Sequence, residues 1–538
     1  MLPLAIVLEP ACSPDRIVAP AAPTSVPAEN LLVAPTPIAV GGLASSTAAQ
    51  RREEPGRTGA APAAPPGSQP AAPPSAVPLE SQTMVSPPRL EPQETAKAVD
   101  PAGAVLTPEL HAMRLTAQQR VLGKGGLASS RGMPYHPLDA EAGTSAETAF
   151  PALGNFVPIE NEPALAHFHR ALARLAAGED LDGKVRILAF GASHTQADLY
   201  PGYLRAYLQR RFGDGGRGFV FPGRINPWHR MLDMQSRHQG LKVLHARTRT
   251  DLKDEPLGLF GAALLGDTGG SFAEITTADS STNTQFQVHY QQQERGGAFT
   301  IDVDGSPIER VSTQSVVSGP AFKAFTSSPG KHVIRVQLHG TGPVRLFGII
   351  AESPSPGIVI DTLGIGGSRM SGHLVSDEPG WVAAVRQRDP DLVMFAYGTN
   401  ETIGTQFFPQ AYEGDVRAVL ERLRKAAPGV SCVLLSPFDI SSSDGERRGP
   451  HAALLKALEI QRRVSKEFGC GFWDGYAFMG GSGSIVRWAM AKPPLAQADH
   501  IHLTHLGYVY MGVALGDALL RAYDVNQAQW LSSAERSP

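Results

Sequence analysis

The segment VRILAFGASHT, at residues 185–195, is an apolar run of strand length that ends in Gly191-Ala192-Ser193. Residues 199–211 follow with the spacing of a helix. A strand, a tight turn and a helix in succession bring the turn to the carboxyl edge of an α/β sheet, where open sheets bind ligands. The glycine permits a sharp turn, and the helix N-terminus favours negative charge nearby. The segment therefore predicts an α/β fold with an exposed serine hydroxyl, although taken alone it also fits an ordinary β-to-α turn.

Two later segments supply partners for this serine. Asn400 follows an apolar run at residues 391–396, and Asp499 precedes His502 by three residues near the C-terminus. A serine hydroxyl becomes a nucleophile when a base takes its proton, and the base needs a partner that fixes its tautomer. Side chains three residues apart can lie on one side of a turn, and an asparagine amide can donate to an oxyanion. The pattern predicts nucleophilic catalysis by Ser193.

Together these residues resemble the motif set of the SGNH (GDSL-like) hydrolase superfamily: serine in the first block, glycine in the second, G-x-N in the third and D-x-x-H in the last. The resemblance implies a flavodoxin-like three-layer α/β/α sandwich. It also implies that Ser193 is the nucleophile, His502 the general base and Asp499 the acid behind it. The oxyanion hole would use the Ser193 N–H, the Gly367 N–H and the Asn400 side chain. Gly367 is preferred to Gly366, and to the more distant Gly364, on this resemblance alone.

Several of these residues have a second interpretation. Asn400 could cap the segment after its strand, and Asp499 could cap the helix that begins near Thr504. His500 and His505 are imidazoles as available as His502, which is chosen for its three-residue offset from Asp499. His194 is predicted to be a rim residue and not a base. The chain departs from the family at Ala192, where members usually carry an aspartate that is not the triad acid.

Composition divides the 538 residues into four parts. Nineteen of the 45 prolines lie in the first 100 residues, which predicts a short signal-like start and a disordered Ala/Pro-rich tether over 1–150. Five short apolar runs alternate with helices over 151–225 and 351–530, as in a parallel sheet covered on both faces. Residues 226–350 alternate apolar and polar positions between turns, which predicts an inserted antiparallel, jelly-roll-like sandwich.

A glycine-dense stretch, GDGGRGF at residues 213–219, follows the helix at 199–211. A phosphate-binding loop would join a strand to a helix N-terminus, so that interpretation is disfavoured. We predict a tight loop close to the rim of the active site.

The three cysteines cannot all pair. Cys432 and Cys470 lie in apolar strands and are predicted to be free buried thiols. Cys12 ends the apolar start MLPLAIVLEPAC, which resembles a lipoprotein signal but lacks its basic beginning. The expectation is export to the periplasm or the cell surface, with a possible lipid anchor at Cys12.

The formal net charge is −3 and no Lys/Arg-rich run is present, so nothing favours nucleic acid or an anionic membrane as a partner. The histidines lack metal-ligand spacing, and neither a metal nor a cofactor is predicted.

The run at residues 191–222 resembles bacterial peptidoglycan O-acetylesterases, in which an inserted β-sandwich similar to a carbohydrate-binding module follows the first block. The resemblance implies removal of O-acetyl groups from a cell-wall glycan or related polysaccharide. Two rival functions remain open at this point. One is acyl transfer with the same residues, and the other is a non-catalytic glycan-binding surface protein in which Ala192 marks the loss of activity.

Overall fold

The structure, a computed structural model, describes residues 156–180, 182–229, 231–247, 255–403, 406–441 and 452–526. The predictions made for the tether over 1–150, including Cys12, lie outside these residues.

The strands of the described part are numbered in chain order. They are β1 Lys184–Gly191, β2 Gly216–Val220, β3 Met234–Gln239, β4 Lys242–His245, β5 Ala262–Gly266, β6 Phe272–Thr277, β7 Gln285–Gln292, β8 Ala298–Val303, β9 Ser306–Ser312, β10 Gly319–Thr326, β11 Val333–Leu338, β12 Val344–Glu352, β13 Gly357–Gly364, β14 Leu392–Ala396, β15 Ser431–Leu435 and β16 Gly471–Trp473.

The helices are numbered in the same way. They are α1 Ala166–Ala177, α2 Ser193–Gln196, α3 Tyr200–Phe212, α4 Glu378–Arg388, α5 Thr399–Thr402, α6 Pro409–Ala426, α7 Ala452–Glu467, α8 Gly475–Met479, α9 Ser484–Met490 and α10 His505–Val525, with 3-10 turns at Glu162–Leu165 and Met370–Leu374. Within the described ranges, none of these helices is both long enough and apolar enough to cross a membrane.

A parallel five-stranded sheet forms the centre of the α/β part, in the order β13-β1-β14-β15-β16. Counted within this sheet alone, the order is 2-1-3-4-5, that of flavodoxin-like folds. Its strands are apolar on both faces because helices cover both. Ile187 and Ala189 of β1 pack with α1, α3 and α10, whereas Leu188 and Phe190 pack with α4, α6 and α7. The predicted three-layer α/β/α fold is confirmed.

Two antiparallel sheets interrupt the α/β pattern between its first two strands, β1 and β13, which pair with each other in parallel. One sheet has the order β10-β7-β12-β5-β4 with β2 beside β12, and the other has the order β3-β6-β11-β8-β9. Strand β11 buries every second side chain (Ile334, Val336 and Leu338), as expected of a strand with one face in a core. The expected all-β insertion into the α/β fold is therefore present.

The glycine-dense stretch differs from its prediction. Residues 216–220 are not a loop but strand β2, in which Val220 pairs with Ile349 of β12. The N–H of Gly215, just before β2, donates to the Ile358 carbonyl at the amino end of β13. Gly367 follows the opposite, carboxyl end of that strand. Gly216 has φ +114°, and a Cβ there would lie 2.4 Å from the Glu352 Cα, so the glycines serve a close strand pairing. The prediction of a loop at the active-site rim is wrong.

The prediction of free thiols is also wrong, because Cys432 and Cys470 form a disulfide. Strands β15 and β16 are parallel neighbours in which Val433 pairs with Gly471. Cys432 and Cys470 each precede one member of this pair, so they lie side by side. The two Cα atoms are consequently 4.8 Å apart, within the range that a disulfide spans.

Candidate active site

Ser193 lies where β1 ends, as the first residue of the single helical turn α2. The turn is sharp: a Cβ on Gly191 would lie 2.0 Å from Thr195 Oγ1, so only glycine fits there. Ala192, which stands where an aspartate is usual, is buried in the apolar core, and the turn closes without a carboxylate. At a helix start the first N–H groups have no intrahelical acceptor, so the Ser193 N–H remains available.

His502 and Asp499 meet Ser193 from the segment before α10. His502 Nε2 lies 2.9 Å from Ser193 Oγ, and His502 Nδ1 lies 2.6 Å from Asp499 Oδ2. The other carboxylate oxygen accepts the backbone N–H groups of Ile501 and His502, each at 3.0 Å, so the acid is fixed by the turn it belongs to. The three predicted residues form one continuous hydrogen-bonded chain.

The surroundings keep Asp499 ionised. Partial burial alone would raise its pKa, but the hydrogen bonds from the His502 ring and from two backbone N–H groups outweigh burial and lower the pKa below its ordinary value. A carboxylate held as an anion can stabilise a positive charge on His502 once the ring takes a proton.

The interpretation of Asp499 as a helix cap is wrong. Thr504 is the N-cap of α10, and its side chain accepts the Gly507 N–H at 3.3 Å. Of the three histidines in this segment, it is His502 whose ring contacts Ser193. His500 has φ +53° and its N–H donates to Gln497, whereas the His505 ring lies against Tyr203.

The glycine segment after β13 lies beside the serine. The Gly366 N–H already donates to Gln196 Oε1 at 2.8 Å, so Gly367 is the better candidate for an oxyanion donor. Gly367 has φ +78°, and among the residues described here its N–H meets no acceptor. The Arg247 guanidinium lies against this glycine. A Cβ placed on Gly367 would be only 2.6 Å from Arg247 Cζ.

Asn400 lies in α5, beside this glycine segment. One N–H of its amide donates to the Ser368 carbonyl at 2.8 Å, which fixes the side chain and leaves the second N–H for an incoming oxyanion. Asn400 is not the cap of its segment, because the Gly398 N–H donates instead to the Glu401 carboxylate at 3.0 Å. The capping interpretation of Asn400 is therefore wrong.

Among the described residues no group of three or more His, Cys, Asp and Glu side chains could hold a metal ion.

Comparison with known proteins bears on this arrangement. Residues 338–510 match the model of the GDSL-like lipase/acylhydrolase family, and the matched segment contains Gly367, Asn400, Asp499 and His502. Residues 338–510 thus form a GDSL-like acylhydrolase domain, that of a carboxylic ester hydrolase. Ser193 precedes the matched segment because the inserted sheets separate the first block of this hydrolase from the others.

One solved structure that shares the fold of this chain is that of a peptidoglycan O-acetylesterase. It is 23% identical with a TM-score of 0.56, over 67% of this chain and 96% of that one. A family two carbohydrate esterase from Clostridium thermocellum is 12% identical with a TM-score of 0.23, over 54% of this chain and 100% of that one. No curated protein sequence matches the hydrolase.

His194 of the hydrolase is not the rim residue that was predicted. Its side chain is buried, its Nδ1 lies 2.9 Å from the Tyr508 hydroxyl, and its ring packs edge-on against Phe438. Burial, with a smaller contribution from His502 at a ring distance of 5.4 Å, lowers its pKa to about 3. His194 is thus a neutral ring that packs behind the proposed base.

Two further residues of the hydrolase support the site and were not predicted. Gln196 accepts the Gly366 N–H and thereby joins the nucleophile turn to the glycine segment. Asp198 is fully buried and bonds Thr362 of β13 at 2.6 Å. Burial disfavours its charge, but the Arg205 and Arg217 guanidinium groups outweigh burial and bring its pKa to about 2. No spacing rule in the sequence identifies either residue, because their partners are remote in the chain.

Proposed function

We propose that this hydrolase removes O-acetyl groups from a cell-wall glycan or a related polysaccharide through an acyl-enzyme on Ser193. The observation that carries the proposal is the hydrogen-bonded chain from Asp499 through His502 to Ser193, with N–O distances of 2.6 and 2.9 Å. Such a chain has the geometry that a general base needs in order to activate a hydroxyl.

In the first half-reaction, Ser193 Oγ attacks the acetyl carbonyl carbon while its proton passes to His502 Nε2. The carbonyl oxygen becomes an oxyanion, and the donors proposed for it are the N–H groups of Ser193 and Gly367 and the second amide N–H of Asn400. Asp499 stabilises the imidazolium. Collapse of the tetrahedral species breaks the bond to the sugar oxygen, which leaves with the proton from His502.

In the second half-reaction, His502 takes a proton from a water molecule, and the resulting hydroxide attacks the acetyl group on Ser193. The same donors stabilise the second oxyanion. Its collapse releases acetate, and His502 returns the proton to Ser193 Oγ. The proton transfers use Ser193, His502 and Asp499, which already lie within hydrogen-bonding reach of one another.

Contacts of the inserted β-sheets with this site support a polymeric glycan substrate. Asn226, between β2 and β3, donates to Gln196 at 3.0 Å, and Arg247, just after β4, lies against Gly367. The insertion therefore forms part of the wall around the proposed nucleophile, where it can contact a chain that extends beyond the ester. The name of the similar peptidoglycan O-acetylesterase suggests the polymer.

We also propose export, to the periplasm or the cell surface, with a lipid anchor at Cys12. The Cys432–Cys470 disulfide supports this location, because disulfides persist mainly in oxidising compartments. Mass spectrometry of the mature N-terminus tests it. An unprocessed, unlipidated start in the cytoplasm would exclude both export and the anchor.

The activity is tested by acetate release from 4-nitrophenyl acetate and from O-acetylated glycan, comparing the parent chain with Ser193→Ala and His502→Ala. Each variant should lose about 10³-fold or more in kcat. His505→Ala is the matched control, because that ring contacts Tyr203 and not Ser193. Unchanged release in Ser193→Ala would overturn the proposal. Appearance of acetylated sugar when chito-oligosaccharide is added would reassign the enzyme as a transferase.

A further inference from the structure

The segment between β2 and β3, which belongs to the inserted sheets, reaches the active site through one side chain. Asn226 Nδ2 donates to Gln196 Oε1 at 3.0 Å, and the same oxygen accepts the Gly366 N–H at 2.8 Å. Gln196 is three residues from Ser193, and Gly366 is adjacent to Gly367. The segment is therefore fastened at the point where the nucleophile turn and the oxyanion glycines meet.

The same asparagine also shapes its own turn. Asn226 Oδ1 accepts the backbone N–H groups of Trp228 and His229, each at 3.0 Å. The His229 side chain is buried, and its ring packs against those of Phe221 and Phe260. The turn is thus held on one side by the active site and on the other by an aromatic cluster.

Trp228 occupies the middle of this fixed turn and is 67% exposed. Three other tryptophans of the described chain, Trp381, Trp473 and Trp488, are fully buried. An exposed indole forgoes a large burial free energy, and a turn anchored on both sides keeps it from collapsing onto the surface. A flat apolar ring with a single N–H donor, held in place, suits a flat apolar ligand face that carries hydroxyl groups at its edge. The apolar face of a pyranose ring meets that description.

We propose that Trp228 is a binding platform for a sugar ring of the substrate, with the indole stacked on a pyranose near the residue whose acetyl group enters the active site. This inference rests on the proposed glycan esterase function and adds a specific subsite to it. Asn226 is the positioning residue of the subsite, because both ends of its amide are engaged in fixing the turn.

Steady-state kinetics on two substrates tests the subsite. In Trp228→Ala, KM for O-acetylated glycan should rise about tenfold, equivalent to ~1.4 kcal/mol, a typical size for an aromatic contact. The loss in kcat/KM on the glycan should exceed the loss on 4-nitrophenyl acetate, which has no sugar ring, by the same factor. Trp228→Phe keeps a flat ring and should recover most of the difference. Val316→Ala, an apolar change at a 98% exposed position of the same insertion, should leave both substrates within twofold.

Equal losses on both substrates, or an unchanged KM for the glycan, would overturn the subsite. Fluorescence separates this failure from failure of the proposed function: in Ser193→Ala, de-O-acetylated oligosaccharide should quench or shift the emission of the exposed Trp228, and the signal should vanish in Ser193→Ala/Trp228→Phe. Sugar binding without Ser193-dependent acetate release would refute the esterase and retain the platform. A parent dimer that becomes monomeric in Trp228→Ala, seen by sedimentation, would assign the indole to self-association instead.

Discussion

Replacement of Asp499 by asparagine tests the proposed role of the acid with little change in shape. The amide oxygen can still accept the Ile501 and His502 backbone N–H groups, so the turn should persist. The amide nitrogen would replace the oxygen that lies 2.6 Å from His502 Nδ1, and a donor there favours the tautomer with its proton on Nε2. That tautomer cannot accept the proton of Ser193.

The size of the effect follows from charge. An imidazolium and a carboxylate about 4 Å apart attract by ~4 kcal/mol at an effective dielectric constant near 20, the value for partly exposed pairs. Because each ~1.36 kcal/mol is tenfold in rate, kcat should fall about 10³-fold. KM should change little, since Asp499 is proposed to act only through His502.

The assay is hydrolysis of 4-nitrophenyl acetate, with thermal melting of each variant as the test of folding. Asp304→Asn is the matched control, because Asp304 also bonds a histidine, His332, at 2.7 Å and accepts a backbone N–H from Val333. It should retain full activity. An Asp499→Asn variant that melts like the parent chain and keeps kcat within tenfold would refute the assignment of Asp499 as the acid.

Three further predictions concern the surrounding structure. Gly367→Ala should lower kcat about 10²-fold, because it displaces the proposed oxyanion donor. Gly429→Ala, at a similar φ of +82° with open space around it, should lower stability but not kcat. Equal kcat values for these two variants would contradict the prediction. Changing both Cys432 and Cys470 to serine should lower the free energy of unfolding by about 4 kcal/mol for a 38-residue loop, measured by urea denaturation, and an unchanged midpoint would be the contrary result. Burial lowers the pKa of His169 to about 4, so the unfolded chain takes up a proton below its pKa of ~6.5 while the folded chain does not. The free energy of unfolding should therefore fall by about 1.4 kcal/mol for each such histidine with every unit by which the pH is lowered from 6.5 to 4. Equal urea midpoints at pH 7 and 5 would exclude this contribution.

The parallel sheet could be predicted because its signal is local. A strand buried on both faces, such as β1, must be apolar throughout, and the helix that follows it repeats apolar residues on one side. The meeting of Ser193, His502 and Asp499 could also be predicted, because each follows or precedes an element in a way that brings it to one edge of the sheet. Spacing alone leaves the capping role of Asp499 and the other histidines open, and the resemblance to the SGNH (GDSL-like) motif set is what selects these three residues.

The remaining features depend on contacts between segments that are remote in the chain. Pairing of Cys432 with Cys470 follows from the register of two neighbouring strands, which composition does not reveal. The buried position of the His194 ring depends on its contacts with Phe438 and Tyr508, which are more than 240 residues away in the chain. The glycines at 216 and 218 favour a loop when the sequence is considered alone, because their partner strand is more than a hundred residues further on. Sequence patterns identify the elements, but they do not identify such pairings.

The chain enters and leaves the insertion at neighbouring points of the α/β part. Gly213, at the end of α3, accepts a hydrogen bond at 3.0 Å from the N–H of Ile358, at the start of β13. The crossover from β1 through α3 to β13 is thus already complete before the additional sheets begin, and the two points of attachment nearly touch. An inserted domain whose two ends lie together can be exchanged or removed without rearranging the fold that carries it. Removal of the insertion would leave two buried carboxylates with fewer donors. Asp198 would lose the guanidinium of Arg217, and Asp361 would lose the N–H of Phe219.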